Sequence, residues 1–249
     1  MLDETIEISR EHHPKAWLPD DRQTRIWRYM DFWKFEILIK RRSLYLCRLD
    51  RLQDQFEGRI SQQQIIDMND WLDSVGHPQI VQTEKEHRQR KRKQTFVSCW
   101  CMSDHDLDLM WKAYTQETKA VAIQSTIERL ERVVDKAIEH WPLDVSAVKY
   151  VHHAEGEFID YMDGLDAVIC KDVHFGLDHE IRLIHWPNIQ EPIPEETFLP
   201  VDLGTLIESI ILHPRLDDQL LEKIEILLQE CELVGLPVKR SRDDRPLEE

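Results

Sequence analysis

The segment FGLDHEIRLIHW, residues 175–186, carries Asp178, Glu180 and Arg182 at alternate positions, with Leu177, Ile181 and Leu183 at the other parity. A side-chain period of two predicts a β-strand with all three charges on one face and the apolar residues on the other. The apolar face of such a strand demands a packed partner layer, so the chain must build a sheet. The charged face has two readings. It is a solvated surface on which Arg182 pairs with its acidic neighbours, or a cleft floor where a guanidinium keeps a carboxylate ionised and aimed at a reacting centre. Spacing leaves both open.

Around this segment, strands and helices mix. β-Branched and aromatic content predicts strands at 25–29 (RIWRY), 43–47 (SLYLC), 95–101 (TFVSCWC), 119–125 (KAVAIQS), 145–151 (VSAVKYV), 167–171 (AVICK) and 206–214 (LIESIILHP). Apolar spacing predicts helices at 31–41 with Asp31 as N-cap, at 61–74, at 106–116, at 125–140 begun by Ser125 or Thr126, and at 217–233 capped by Asp217 or Asp218. Residues 79–93 read as a further helix, 54–58 (DQFEG) as a loop closing at Gly58, 237–241 (PVKRS) as the closing stretch, and 1–24 as an irregular segment. Without strict βαβ alternation the expected fold is α+β: one domain over 25–245 with a mainly antiparallel sheet, continuous or split, and flanking helices. Eight Trp and 41% hydrophobic residues supply a substantial core, and seven Gly with no Gly- or Ser-rich tract leave no flexible linker to divide it.

The 32 bases and 48 acids give a net charge of −16, which disfavours general affinity for phosphate backbones but leaves room for a local basic patch. No apolar run approaches the roughly 20 residues of a membrane helix, and MLDETIEISREHH lacks a signal-peptide core. Five irregularly spaced cysteines suit a reduced compartment, so a cytoplasmic protein is expected.

Several clusters have a chemical and a plain reading. Cys99, Cys101 and His105 are zinc-ligand types, but the Cys-x-Cys pair lacks a second ligand pair, and buried thiols are the plainer account. His152, His153, His174, His179 and His185 crowd one region without a metal-binding spacing, so no metal site is assigned. Arg88, Arg90, Lys91, Arg92 and Lys93 are either a solvated helix end or an arm making weak contact with nucleic-acid phosphates. Trp111 and Tyr114 are either core or a base-stacking platform. No P-loop, GxGxxG or GxSxG is present.

Five stretches in order resemble one bacterial and phage family, domain of unknown function 2971. They are RYMDFWKFEILI, LYLCRLDRLQDQFEG, VSCW followed by LMWKAY, VAIQST, and KDVHFGLDHEIRLI, spanning about residue 25 to about 185, with a weaker tail at IILHP and PVKRS. Asp178 departs from the family's E-x-E-x-R pattern but keeps its charge. DLDLMW departs from a Glu-Ser before Met-Trp, which removes any role for that serine. The family implies no activity.

A second likeness does. An opening strand, helix and strand with Arg28 on the first, a later strand with Ser98, and a late strand with Asp178-x-Glu180 resembles the ADP-ribosyltransferase layout. That resemblance implies a split pair of antiparallel sheets gripping NAD as substrate. Arg28 would hold phosphate or ribose and Ser98 would support the nicotinamide side, with Tyr29, Trp100, Trp111 and Tyr114 completing the dinucleotide site. Glu180 would engage the nicotinamide ribose, Asp178 would orient a nucleophile or take its proton, and Arg182 would complete the catalytic set. Two other functions compete: a metal-dependent phosphodiesterase in which Glu57, Asp178 and Glu180 hold a divalent cation, and a non-enzymatic interaction or regulatory module whose charged strand face meets a protein. The transferase needs Arg28, Ser98 and Glu180 in one cleft. The metal enzyme needs open coordination space beside Glu180, and the module needs only a shallow charged surface.

Overall fold

The computed structural model describes residues 16–54, 56–116, 118–160, 164–187, 192–215 and 218–241. In chain order its elements are β1 (Arg25–Asp31), α1 (Phe32–Arg41), β2 (Ser43–Arg48), α2 (Gln62–Ser74), α3 (Ile80–Gln94), β3 (Phe96–Met102), α4 (Asp108–Tyr114), β4 (Ala120–Thr126), α5 (Ile127–Ala137) and β5 (Leu143–Ala147). There follow β6 (Lys149–Val151), α6 (Leu165–Ile169), β7 (Cys170–Asp172), β8 (Glu180–His185), β9 (Glu196–Pro200), α7 (Leu203–Leu206), β10 (Ser209–Leu212), α8 (Asp218–Glu230) and β11 (Val238–Arg240). Ser61 opens α2 with a capping box closed by Gln64, and the Thr126 hydroxyl accepts the Arg129 N–H at the start of α5. Asp31 stands at the N-cap of α1, but its carboxylate accepts the Gln116 N–H at 2.8 Å instead, tying the segment after α4 to β1.

The fold is α+β. A nine-stranded, mostly antiparallel sheet runs β11-β10-β4-β1-β3-β2-β9, with β8 on the other edge of β3 and β5 beyond it, and β6 and β7 form a small parallel pair. β1 and β2 meet the same edge of β3 at opposite ends. β1 pairs only through Ile26 with Met102 and Trp27 with Cys101, and β2 only through Cys47 with Val97 and Arg48 with Phe96. Between those contacts the two strands diverge, so the sheet is split beside Ser98–Trp100.

Strand alternation gives the sheet two faces. One carries the large core: Ile26 and Met30 of β1, Leu44 and Leu46 of β2, Phe96 and Trp100 of β3, and Ile181 and Leu183 of β8, covered by residues of α1, α5 and α8. The other carries two smaller apolar patches, one around Trp27, Tyr29, Met110 and Trp111, the other around Leu49, Val97, Val168 and Ile184. Cys101, Glu180, Cys99 and Arg182 pair across β3 and β8 in the strip between them.

Several expectations are corrected. AVICK is the end of α6 followed by β7, because a short apolar run does not distinguish a buried helix from a strand. The charged strand begins only at Glu180: Val173–Asp178 winds as a 3-10 helix that closes through left-handed His179 at φ 40°, so Asp178 is not a strand residue. VSAVKYV divides at Val148 between two sheets, and 206–214 holds the end of α7 before β10. The edge strand β9 was not anticipated. Asp217 and residues 1–15 lie outside the described residues, and 16–24 contain no regular element.

Candidate functional site

The turn at 56–58, strands β7 and β8, and the 3-10 helix Val173–Asp178 bring five charged side chains together on the second face of the sheet. The Arg182 side chain is fully buried, and its Nε donates to Glu180 Oε1 at 2.6 Å, its Nη2 to Glu57 Oε1 at 2.8 Å, and its Nη1 to the Val168 carbonyl. Lys171 Nζ donates to Glu180 Oε2 at 2.8 Å and to Asp178 Oδ2 at 2.7 Å, with Glu57 Oε1 at 4.0 Å. Both oxygens of Glu180, which is 3% exposed, are therefore held by cations. Tyr150 Oη accepts the Glu180 N–H at 2.9 Å, and Tyr114 Oη donates to Asp178 at 2.9 Å. The Phe175 ring lies 4.8 Å from the Lys171 ammonium. Tyr114 and Phe175 are exposed, and Asp178 is partly so, making this the side from which the cluster reaches solvent.

Burial and charge compete at each group. Burial pushes the Glu180 carboxyl up, but Arg182 and Lys171 outweigh it and hold the group down at about 2. Glu57 goes the other way: burial dominates over Arg182 and raises its pKa, and its Oε2 has no hydrogen-bond partner among the described residues. Burial works against the Lys171 cation, yet Glu180, Tyr114 and Asp178 keep it charged well into the alkaline range. Burial, reinforced by Glu180, pushes the Cys99 thiol well up, so it is a neutral neighbour rather than a thiolate.

Asp178, Glu180 and Arg182 are thus in direct or one-residue contact through Lys171. Of the expected dinucleotide residues, all but Tyr114 lie away from them. Arg28 pairs with Ile123 on the large-core side, whereas Glu180 pairs with Cys101 on the other. The Arg28 guanidinium lies in the split, where Nη2 donates to the Tyr45 carbonyl at 3.0 Å and the Trp100 ring stands 6.0 Å away. Cys99 stands between, close enough to interact electrostatically with both Arg28 and Glu180. Ser98 Oγ accepts the Trp100 Nε1–H at 3.1 Å, and both residues are 1% exposed on the core face. Trp111 is also 1% exposed, packed edge-on to Tyr29 at 4.9 Å, while the Tyr29 hydroxyl accepts the Leu107 N–H. Trp111 is core, not a stacking platform. Of the aromatic set, Tyr114 alone contacts the charged cluster directly, through Asp178.

Glu57, Asp178 and Glu180 do converge, as a divalent-metal reading requires, but the Lys171 ammonium occupies the space among them. Among the described residues no group of three His, Cys, Asp or Glu is arranged to hold a metal ion. The histidines disperse: His153 and His174 approach Asp172, while His185 faces the Pro142 carbonyl. Arg88–Lys93 forms the last turns of α3, which buries none of its side chains. Lys171 was missed in the sequence. The available signal was a lone lysine ending the apolar run AVICK, where it must find an anion. Among the described residues no helix is long and apolar enough to cross a membrane.

A scan against protein-family models and a search of curated proteins each found no match, so the likeness to domain of unknown function 2971 gains no support from a family model. Among solved structures the chain is similar to "Thermus sp. 2.9 DarT in complex with NAD+", with a TM-score of 0.42 and 9% sequence identity, covering 92% of this chain and 100% of that chain. Overlap of that extent does not establish a common fold.

Proposed function

We propose that the chain is an ADP-ribosyltransferase-like enzyme that breaks the bond between ribose and nicotinamide in NAD, with Glu180 as the acid that stabilises the reacting centre. The observation that carries this reading is a carboxylate held ionised, at about 2, inside an aromatic and cationic surround. Loss of nicotinamide sends the C–N bonding pair to the ring nitrogen and leaves an oxocarbenium-like ribose. A fixed carboxylate stabilises that centre because it needs no solvent reorganisation during the reaction. The acceptor then bonds to the ribose carbon and gives its proton to Asp178. Substrate must displace the Lys171 ammonium from between the two acids. Tyr114 and Phe175, exposed at that side, would face the departing ring. The single cleft expected of Arg28, Ser98 and Glu180 is not formed: Arg28 fills the split from the core side and Ser98 holds the Trp100 indole, so the reading rests on Glu180 and its own neighbours.

The test is incubation of purified protein with NAD, following free nicotinamide for wild type, Glu180→Gln and the less buried Asp178→Asn, with melting curves for each. Release that drops by about 100-fold or more in Glu180→Gln, with the fold retained, is the expected result. No release, with no change in melting temperature on adding NAD, overturns the proposal. It would favour a second reading, supported by the engagement of both Glu180 oxygens: that the cluster is a structural clamp in an interaction module.

A further inference from the structure

The turn at 56–58 has a second consequence on its outer side. Gly58, at φ +67°, sends Glu57 inward and Arg59 outward. Arg59 then lies across from the end of α3, where Gln89, Arg92 and Lys93, at i, i+3 and i+4, share one helix face. These side chains, with Asp50 and Gln53, line an open depression of about 440 Å³. Asp50, the acid in this set, is engaged by Arg48 at 2.6 and 3.2 Å, so the three bases around the hollow share one acid that is already paired. Arg92 spends its Nε–H on the Glu57 carbonyl at 2.8 Å, which fixes the fork, and among the described residues neither Nη group makes a hydrogen bond. Among the described residues neither Arg59 nor Lys93 has an ion-pair partner.

Burial and then the nearby Arg59 charge lower the Arg92 pKa, against a smaller opposing pull from Asp50 and Glu57, so a second cation crowds this guanidinium. On a chain carrying −16 overall, three bases around one hollow stand out from their surroundings. A solvated helix end does not account for this arrangement, because Arg59 comes from outside the helix and Arg92 is oriented by a backbone carbonyl rather than by solvent. Arg90 and Lys91, equally basic by sequence, do not line the depression.

We propose that this depression binds the phosphoryl group of a phosphate ester, with the Arg59 and Arg92 guanidinium edges taking its oxygens, Lys93 adding a point charge, and Gln53 and Gln89 donating at the rim. The ester could belong to a nucleic-acid strand or to a small phosphorylated molecule; the chemistry recognised is the same. This site is separate from Glu180 and stands whether or not that residue is catalytic.

The test is fluorescence anisotropy with a labelled single-stranded oligonucleotide at low salt, with AMP and inorganic phosphate as competitors and as titrants followed by tryptophan fluorescence. Variants are Arg59→Glu, Lys93→Glu and, as a charge-matched control on another face of α3, Arg90→Glu, each checked for an unchanged melting curve. Affinity for whichever probe binds should fall about tenfold or more in the first two and less than about twofold in the third. Oligonucleotide binding that AMP displaces weakly assigns a nucleic-acid strand. AMP binding without oligonucleotide binding assigns a small ester. Absence of binding to all three probes, or equal weakening by all three variants, overturns the site.

Discussion

Glu180 and Glu57 are buried against the same guanidinium, and they answer burial in opposite ways. Two cations and a thiol hydrogen bond keep Glu180 ionised, with a folded pKa of about 2 against an ordinary 4.5. Its contribution to stability is therefore present above the unfolded-state value and is lost as pH falls from about 4.5 through about 2. Glu57 shares Arg182 but has one oxygen without a hydrogen-bond partner among the described residues, and its folded pKa is raised. Its contribution is present below about 4.5 and is lost as pH rises through the folded value. Glu180→Gln should then cost roughly 3 kcal/mol near neutral pH, and the gap from wild type should close as pH falls toward 2. Glu57→Gln should gain relative to wild type as pH rises above about 4.5. Urea unfolding from about pH 2 upward measures both, and a pH-independent gap for Glu180→Gln would remove the case for a preferentially ionised carboxylate.

At the scale of elements, the turn at 56–58 does two jobs, and Gly58 permits both. A methyl group there would meet Leu49 Cδ2 at 2.5 Å and Arg92 Cγ at 3.1 Å, on a backbone at φ +67°. Gly58→Ala should cost about 1–3 kcal/mol. It should also weaken binding of the phosphorylated probe that wild type binds, because Glu57 and Arg59 are anchored by the same turn. Unfolding curves and anisotropy on one preparation check both effects, and a loss of stability with probe binding intact would separate the turn from the basic depression. That turn was readable from DQFEG, as were β1–β4, α1 and the capped α2 and α5, because apolar period and cap chemistry act over a few residues. What was not readable depended on distant partners. AVICK became α6 and β7 because tertiary packing decides short apolar runs. Asp178 left the strand because left-handed His179 breaks the alternation just before Glu180, and no residue type there announces it.

Over the whole molecule, the split between β1 and β2 decides which residues can act together. Sequence showed the charges of Arg28 and Glu180 but not their faces. Those are set by the register of β1 on β4 and of β8 on β3, pairings between segments far apart in the chain. The Arg28 side chain closes the split from the core side, next to Cys47 and Cys99, whose side chains lie on the Glu180 face. Burial lowers its pKa, and the guanidinium is held by a backbone carbonyl rather than by a carboxylate. Removing it in Arg28→Ala leaves the Tyr45 carbonyl without its donor and opens a hollow between two strands that already diverge. A stability loss of about 2–4 kcal/mol is expected. The more discriminating readout is thiol labelling of the native protein with a small disulfide reagent. Cys47 and Cys99 should react several-fold faster in Arg28→Ala than in wild type, while buried Cys170, on the small β6–β7 pair, should not change. Uniform acceleration at all cysteines would mean global loosening instead, and no acceleration at Cys47 and Cys99 would show that the split is closed by the backbone and not by this side chain.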